Sequence, residues 1–463
     1  MARLWDKGYE VDRELHRFTV GDDYLLDLAL IEPDCIASAA HARMLAKIGI
    51  LKPDQANELV AELAAIINDT QAGKFTVSLE QEDCHTAIEN RLTEKLGDLG
   101  KRIHTARSRN DQVTAALRIY AKVQLLTLIQ NTLELATILL NFADEHRNVP
   151  MVGRTHMQRA MPSSLALWSA AYMESLLDDA ELLLCAFKLN DQCPLGSAAS
   201  YGVPLPIDRK YTSDLLGFAR LTNNVLYANN SRGKIESVIL SAAAQVCTDL
   251  SRLAQDLIIF SMPEFGYFTI PRDLCTGSSI MPQKRNPCGL ELLRAKASTV
   301  TAALAEVLNI LTGLPSGYNR DLQQTKGPFM RGLDTAISSL RITKLTFVKL
   351  KVNESALLNG FDPSVFATDA ALELVAKGTP FRDAYRQVAQ QLDKLADRDP
   401  AAAISARTHV GSTGNLNLKQ ADRRIVEAHK FLTDSSETFR KAVDNLFGPN
   451  LVPHFGASGI SHA

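Results

Sequence analysis

No two cysteines in this sequence stand as CxxC, and no cluster of histidine and cysteine has the spacing of a zinc site. The seven cysteines, Cys35, Cys84, Cys185, Cys193, Cys247, Cys275 and Cys288, are odd in number and scattered. They read as reduced thiols of a cytoplasmic protein. A glycine loop that cradles phosphate is missing, as is a G-x-S-x-G elbow, so no such motif points to another chemistry. Charge of one sign is missing too. Lys and Arg total 50 against 52 Asp and Glu, which argues against nucleic acid or an anionic membrane as partner. No N-terminal apolar stretch resembles a signal peptide, and no run of about twenty apolar residues would span a bilayer. Sustained apolar–polar alternation is absent, so little suggests a sheet, and there are no repeats or low-complexity segments.

What is present is helical periodicity between long gaps in glycine and proline. Between Gly100 and Pro150 neither occurs. Leu117, Tyr120, Leu128, Leu135, Leu139 and Phe142 fall at helical spacing there. The pattern predicts a helix over Asn110–Arg147, about 55 Å long at 1.5 Å per residue. Ser163–Cys193, Lys234–Met262, Leu290–Thr312 and Leu333–Asn359 follow the same pattern. Long helices joined by short connections predict an antiparallel bundle. Leu176, Leu177, Leu182, Leu183 and Leu184 cannot all face one way, so burial by neighbouring subunits as well as by the chain itself is expected. Shorter helices are expected over Asp34–Ile48 and Pro53–Asn68, with Pro53 just inside the start of its helix. After Gly360 the pattern returns to shorter helices. The expected fold class is all-α in three parts: residues 1–109, a central bundle at 110–360, and a small helical domain at 361–463. The tail from Pro449 is expected to be poorly ordered.

Four polar stretches interrupt this apolar scaffold at helix ends. Gly277–Pro287, GSSIMPQKRNP, holds two hydroxyls, a lysine, an arginine and an asparagine between glycine and proline breaks. Ser278 and Ser279 offer an oxygen base, Lys284 and Asn286 a carboxylate clamp, and successive amides an oxyanion site. Glu291 follows it. Thr105–Gln112, TARSRNDQ, puts Arg107, Arg109 and Asn110 at a helix N-terminus, where anions are favoured; alternatively, Ser108 or Asn110 serves only as a cap. Gly153–Pro162, GRTHMQRAMP, contributes Thr155, His156 and Gln158 just ahead of another long helix. Leu314–Lys326, LPSGYNRDLQQTK, contributes Tyr318, Arg320, Gln323 and Lys326, which would meet a polar substrate or form a solvated turn.

GSSIMPQKRNP resembles the signature loop of the fumarase/aspartase superfamily. SRNDQ at Ser108–Gln112, THMQRAMP at Thr155–Pro162 and YNRDLQ at Tyr318–Gln323 resemble the argininosuccinate lyase family within it, and RFTVGDDYLLDLAL at Arg17–Leu30 resembles the start of a bacterial branch of that family. The resemblance implies a homotetramer whose active sites lie where three subunits meet, and cofactor-free cleavage of argininosuccinate to arginine and fumarate. It implies Ser278 as general base and His156, paired with Glu291, on the acid side or orienting the substrate. Lys284 and Asn286 would hold the carboxylate that gains charge. Arg109, Asn110 and Thr155 would bind the succinyl half. Asp27, Tyr318, Gln323 and Lys326 would bind the amino-acid end, with Asp83, His85 and Ser279 in support. The sequence departs from the family pattern at Ala2–Gly8, at Ala106 in place of a glycine, at Asn230–Lys234, and at Asp23 in place of a substrate-binding serine. All of these departures bear on the amine half more than on the succinyl half. Two alternatives therefore stand beside the first reading: a related C–N lyase acting on another N-substituted aspartate, and a structural protein that has lost activity.

Overall fold

The computed structural model describes residues 11–449 and residue 451. The departure at Ala2–Gly8 and nearly all of the tail lie outside the described residues. Two shorter helices, α1 (Ile31–Lys47) and α2 (Pro53–Gln71), pack on each other. Pro53 occupies the first helical position of α2, where its missing N–H removes no hydrogen bond. A third, α3 (Cys84–Leu96), is capped by Asp83, whose carboxylate accepts the Thr86 N–H at 2.8 Å.

The bundle is built from α4 (Arg109–Glu145), α5 (Leu165–Asn190), α6 (Lys234–Ser261), α7 (Cys288–Leu311) and α8 (Lys326–Lys349). Consecutive members pack side by side, as expected of an antiparallel bundle. The last differs from its expected span. It starts earlier, at Lys326, because Pro328 sits in its first turn, and it stops at Lys349 where residues 351–352 turn into strand. Helix α4 is long and apolar enough to cross a membrane, contrary to the sequence reading. It is instead the core of the bundle: 61% of that apolar window is buried. Its two buried cations are matched by protein groups: Arg118 donates to Ser231 O and Oγ at 3.2 and 3.0 Å, and Lys122 lies 2.6 Å from Asp191. The last hundred residues hold one long helix that was not expected, α9 (Leu418–Phe447), which packs back on α4 and α5 through Leu432, Phe439, Val443 and Leu446. No glycine or proline occurs between Gly414 and Gly448 to stop it.

Strands do occur. Pro150–Thr155 (β1) and Gln158–Ser164 (β2) form an antiparallel hairpin, with Thr155 opposite Gln158. Phe268–Thr269 (β3) pairs with Lys351–Val352 (β4) just past the end of α8. Trp168, in the first turn of α5, ties these pieces together by ring contacts with Phe260, Phe268 and Phe347. The hairpin, β3 and the C-terminal ends of α6 and α8 therefore share one end of the bundle. The opposite end holds the starts of α4, α6 and α8 and the end of α7, where Leu311 packs on Gly233.

Candidate active site

At that opposite end lies a cleft of about 200 Å³. It is lined by Asp23, Glu82, Asp83, Arg109, Asn110 and Arg232, together with Tyr318, Arg320, Gln323 and Lys326. Two of the four polar stretches thus converge, along with the segment that opens the described chain. Ser108 caps α4, accepting the Asn110 N–H at 3.3 Å, and Asp111 accepts the Ser108 N–H at 3.0 Å. The cap leaves Arg109 and Asn110 in the first turn with their side chains on the cleft. Ala106, before it, has φ of +62°, a left-handed conformation that a glycine would take without strain. Arg107 does not join the cleft. It is buried and donates to Ser38 Oγ at 2.8 Å, so the two arginines of TARSRNDQ do not form one anion site.

Arg109 lies 3.2 Å from Asp83 and 3.6 Å from Glu82, and donates to Thr86 Oγ1 at 2.8 Å. Burial pushes the Asp83 carboxyl up, but Arg109, His85 and two bonds from Thr86 outweigh it and hold it below its ordinary value. His85 sits one layer deeper, bonded through Nδ1 to Asp34 at 2.9 Å. Burial opposes its charge, yet Asp34 prevails and raises its pKa. Gln323 donates to Thr19 O at 2.9 Å and Arg320 to the same carbonyl at 3.0 Å. Arg232 stacks 5.7 Å from the Tyr318 ring, and Asn230 Oδ1 accepts the Gly317 N–H at 2.8 Å.

Lys326 is wholly buried between two carboxylates, Asp27 and Asp23, the second at 3.0 Å. Burial alone would lower its pKa; the two acids reverse that and raise it. Asp27 is itself buried and also accepts the Cys84 N–H at 3.1 Å. Asp27, Cys84 and His85 bring ligand atoms within 4.8 Å of one another. The set suits a metal poorly. Asp27 already carries the Lys326 ammonium, and burial together with three carboxylates keeps the Cys84 thiol protonated. Lys326→Met should therefore destabilise the fold by about 3–5 kcal/mol, because it strands a buried carboxylate. Urea unfolding of the variant measures this, and an unchanged midpoint would show that Lys326 contributes no net stability.

The other predicted residues lie elsewhere. Thr155 and His156 are exposed at the tip of the β1–β2 hairpin. His156 and Met157 both have positive φ, 53° and 64°, which makes a two-residue turn of the mirror-image type that matches strand twist. Non-glycine residues pay conformational strain there, and such strain concentrates where side chains must be aimed. Residues 276 and 286 close the signature loop, Thr276 and Asn286 exchanging N–H···O bonds of 3.0 and 2.9 Å. Inside it, Ser278 Oγ accepts the Met281 N–H at 3.1 Å and the Ile280 N–H at 3.4 Å. Asn286 Nδ2 donates to Gly277 O at 3.2 Å. Ser279, Lys284 and Glu291 are exposed. Among the described residues no hydrogen bond or ion pair joins His156 to Glu291.

One chain therefore splits the candidate site. Thr155 and His156 follow the far end of α4, whose 37 residues span about 55 Å from Arg109. The signature loop precedes α7 at the end where α8 finishes, and Lys349 pairs with Asp273 on its approach. The 24 residues of α8 place that end about 36 Å from Lys326. Sequence reasoning missed Glu82 and Arg232 as cleft residues. Glu82 precedes Asp83 in the QEDCH segment, and Arg232 lies within Asn230–Lys234, the segment noted only for departing from the pattern.

The profile of the family described as Lyase matches residues 10–302. A protein of Sorangium cellulosum named argininosuccinate lyase is 45% identical over 424 residues, 92% of this chain and 98% of its own. One of Thermotoga neapolitana with the same name is 43% identical over 395 residues, 85% of this chain and 99% of its own. Among solved structures, an EDDS lyase in complex with formate superposes with a TM-score of 0.80 at 21% identity, covering 95% of this chain and 97% of its own. The class II fumarase of Schistosoma mansoni gives 0.70 at 16% identity, covering 85% and 95%. At those identities the two structures speak for the fold alone, and they place it in the long-helix architecture described above. With its fold matching these lyases and its sequence aligned along nearly its whole length with curated relatives of one name, this chain belongs to the argininosuccinate lyase family.

Proposed function

We propose that the protein cleaves argininosuccinate to arginine and fumarate by cofactor-free C–N elimination. The observation that carries this reading is the Ser278 hydroxyl, whose oxygen accepts two backbone N–H groups on the signature loop. Bonds to the charged form favour it, so these two amides stabilise an alkoxide, and Lys284 and Arg285 follow on the same loop. That alkoxide is the base that takes a proton from carbon beside the succinyl carboxylate. The negative charge then grows on that carboxylate, where Lys284, Asn286 and the loop amides receive it. His156, oriented by Glu291, serves the departing nitrogen. Arg109, Asn110 and Thr155 hold the succinyl half. Tyr318, Gln323 and Lys326 form the amine subsite, with the buried Asp27 holding Lys326 from behind, and Asp83, His85 and Ser279 support the site as a whole.

The working unit in this reading is a homotetramer in the cytoplasm, with each site assembled from more than one chain. Two facts support it. The catalytic loop and hairpin sit a helix length away from the cleft that would bind the substrate. The bundle also leaves Leu182, Leu292, Leu308, Ile342, Leu345 and Val348 substantially exposed; such apolar surface on long helices marks a subunit interface. The cleft is also smaller than the range of about 300–1,000 Å³ usual for a complete ligand site. Adding argininosuccinate to the purified protein should produce a steady rise in fumarate absorbance. A flat trace from folded tetramer would remove the reading. A second reading, the same elimination with another amine, is favoured by one observation: Asp23 stands against Lys326.

A further inference from the structure

Resting on this reading of the reaction, we infer that Asp23 is the specificity-determining residue of the amine subsite and that its carboxylate receives a cationic amino group of the leaving amine. The charges in the cleft lead there. Of the three acids on its wall, Asp83 and Glu82 already face Arg109 at 3.2 and 3.6 Å. Glu82 also meets His16 at 3.3 Å. Among the described residues the one ion pair of Asp23 is with Lys326, which is shared with Asp27, and Arg232 acts on it from farther off. Two carboxylates share one ammonium, so the ion pair with Lys326 leaves Asp23 only partly neutralised.

The two acids are not equivalent. Asp27 has no exposure and also holds a backbone N–H, so it is the fixed partner of Lys326. Asp23 keeps 15% of its side chain exposed and lines the cleft, so it is the member that meets a ligand. Burial raises its carboxyl to about 6 against the pull of Lys326, which leaves it ionised at neutral pH. A carboxylate approaching Lys326 would be repelled by Asp23, whereas an ammonium would be attracted. Arg232 and Arg320 also line the cleft and supply positive charge for the amine's own carboxylate. The corner is therefore built to read an amino acid by its amino group.

The test uses the reverse reaction, addition of an amine to fumarate, followed by loss of fumarate absorbance and by product mass. Three amines are compared: arginine, its decarboxylated analogue, and its analogue without the α-amino group. A site that pairs with a charged group discriminates strongly against a ligand lacking it, so the wild type should favour arginine over the deaminated analogue by about 100-fold or more in kcat/KM. Asp23→Asn should reduce that ratio to about threefold or less, while the deaminated analogue reacts with the variant about as well as with the wild type. Asp23→Ser, which also removes the bulk, should do the same, so a folding defect in one variant leaves the other to decide. An unchanged ratio in the variants, or an equal loss for all three amines, overturns the inference and leaves the reaction standing. Failure of the wild type to add arginine at all overturns both.

Discussion

Ser278→Ala should lower kcat by about 10²–10⁴-fold, the usual contribution of a positioned general base. KM should change little, because a group that acts on the proton in the transition state adds little to ground-state binding. The fold gives no reason for a wider effect. Ser278 is half-buried in a loop, and its hydroxyl only accepts the N–H groups of Ile280 and Met281. Removing it leaves two amides that water can satisfy, so the substitution should stay within the small range of surface changes, about 0.5 kcal/mol. Size-exclusion and thermal unfolding should match the wild type, which separates loss of chemistry from loss of structure. The neighbouring Ser279→Ala is the internal control. Both hydroxyls sit on the same loop, but among the described residues only that of Ser278 accepts backbone N–H groups. A fall of similar size for both, or near-normal turnover for Ser278→Ala, would mean the base is elsewhere.

Much of the scaffold is legible in the sequence because its rules are local. A stretch without glycine or proline and with apolar residues at helical spacing favours helix, and the five bundle helices end within a few residues of such limits except for α8. The hairpin was invisible for an equally local reason. Its turn is made by His156 and Met157 at positive φ, where asparagine and glycine are the residues that announce such a turn. The chemistry-bearing stretches could be picked out, since polar residues between apolar helices stand apart, but their arrangement could not. Whether Arg109 meets Ser278 depends on which ends of α4, α7 and α8 coincide, and no residue pattern records that. The pair made by Arg107 and Arg109 shows the same limit on a smaller scale. Two positions apart in the chain, one arginine is buried against Ser38 and the other opens on the cleft. The Lys326–Asp27–Asp23 cluster joins positions about three hundred residues apart, so its charge balance emerges only in three dimensions.

The split of the site between the two ends of the bundle carries the other large prediction. In the homotetramer proposed above, Ser278→Ala and Arg109→Met should each be nearly inactive on their own. Unfolded and refolded together in equal amounts, they should regain activity. If a site takes its loop from one chain and its α4 start from another, a chain carrying Arg109→Met supplies an intact Ser278 with a chance of one half. A chain carrying Ser278→Ala supplies an intact Arg109 with the same chance. About a quarter of the sites in a random symmetric tetramer are then complete, and activity should rise to about that fraction of wild type. The rise has no other source, since neither chain alone contains both groups. A site closed within one chain predicts none, because every chain in the mixture lacks one group or the other. Mixing each variant with itself controls for refolding, and native mass spectrometry of the mixture verifies that hybrid tetramers formed. Hybrids without activity would require Ser278 and Arg109 of a single chain to meet, which about 36 Å of α8 and about 55 Å of α4 forbid unless the bundle itself were rearranged.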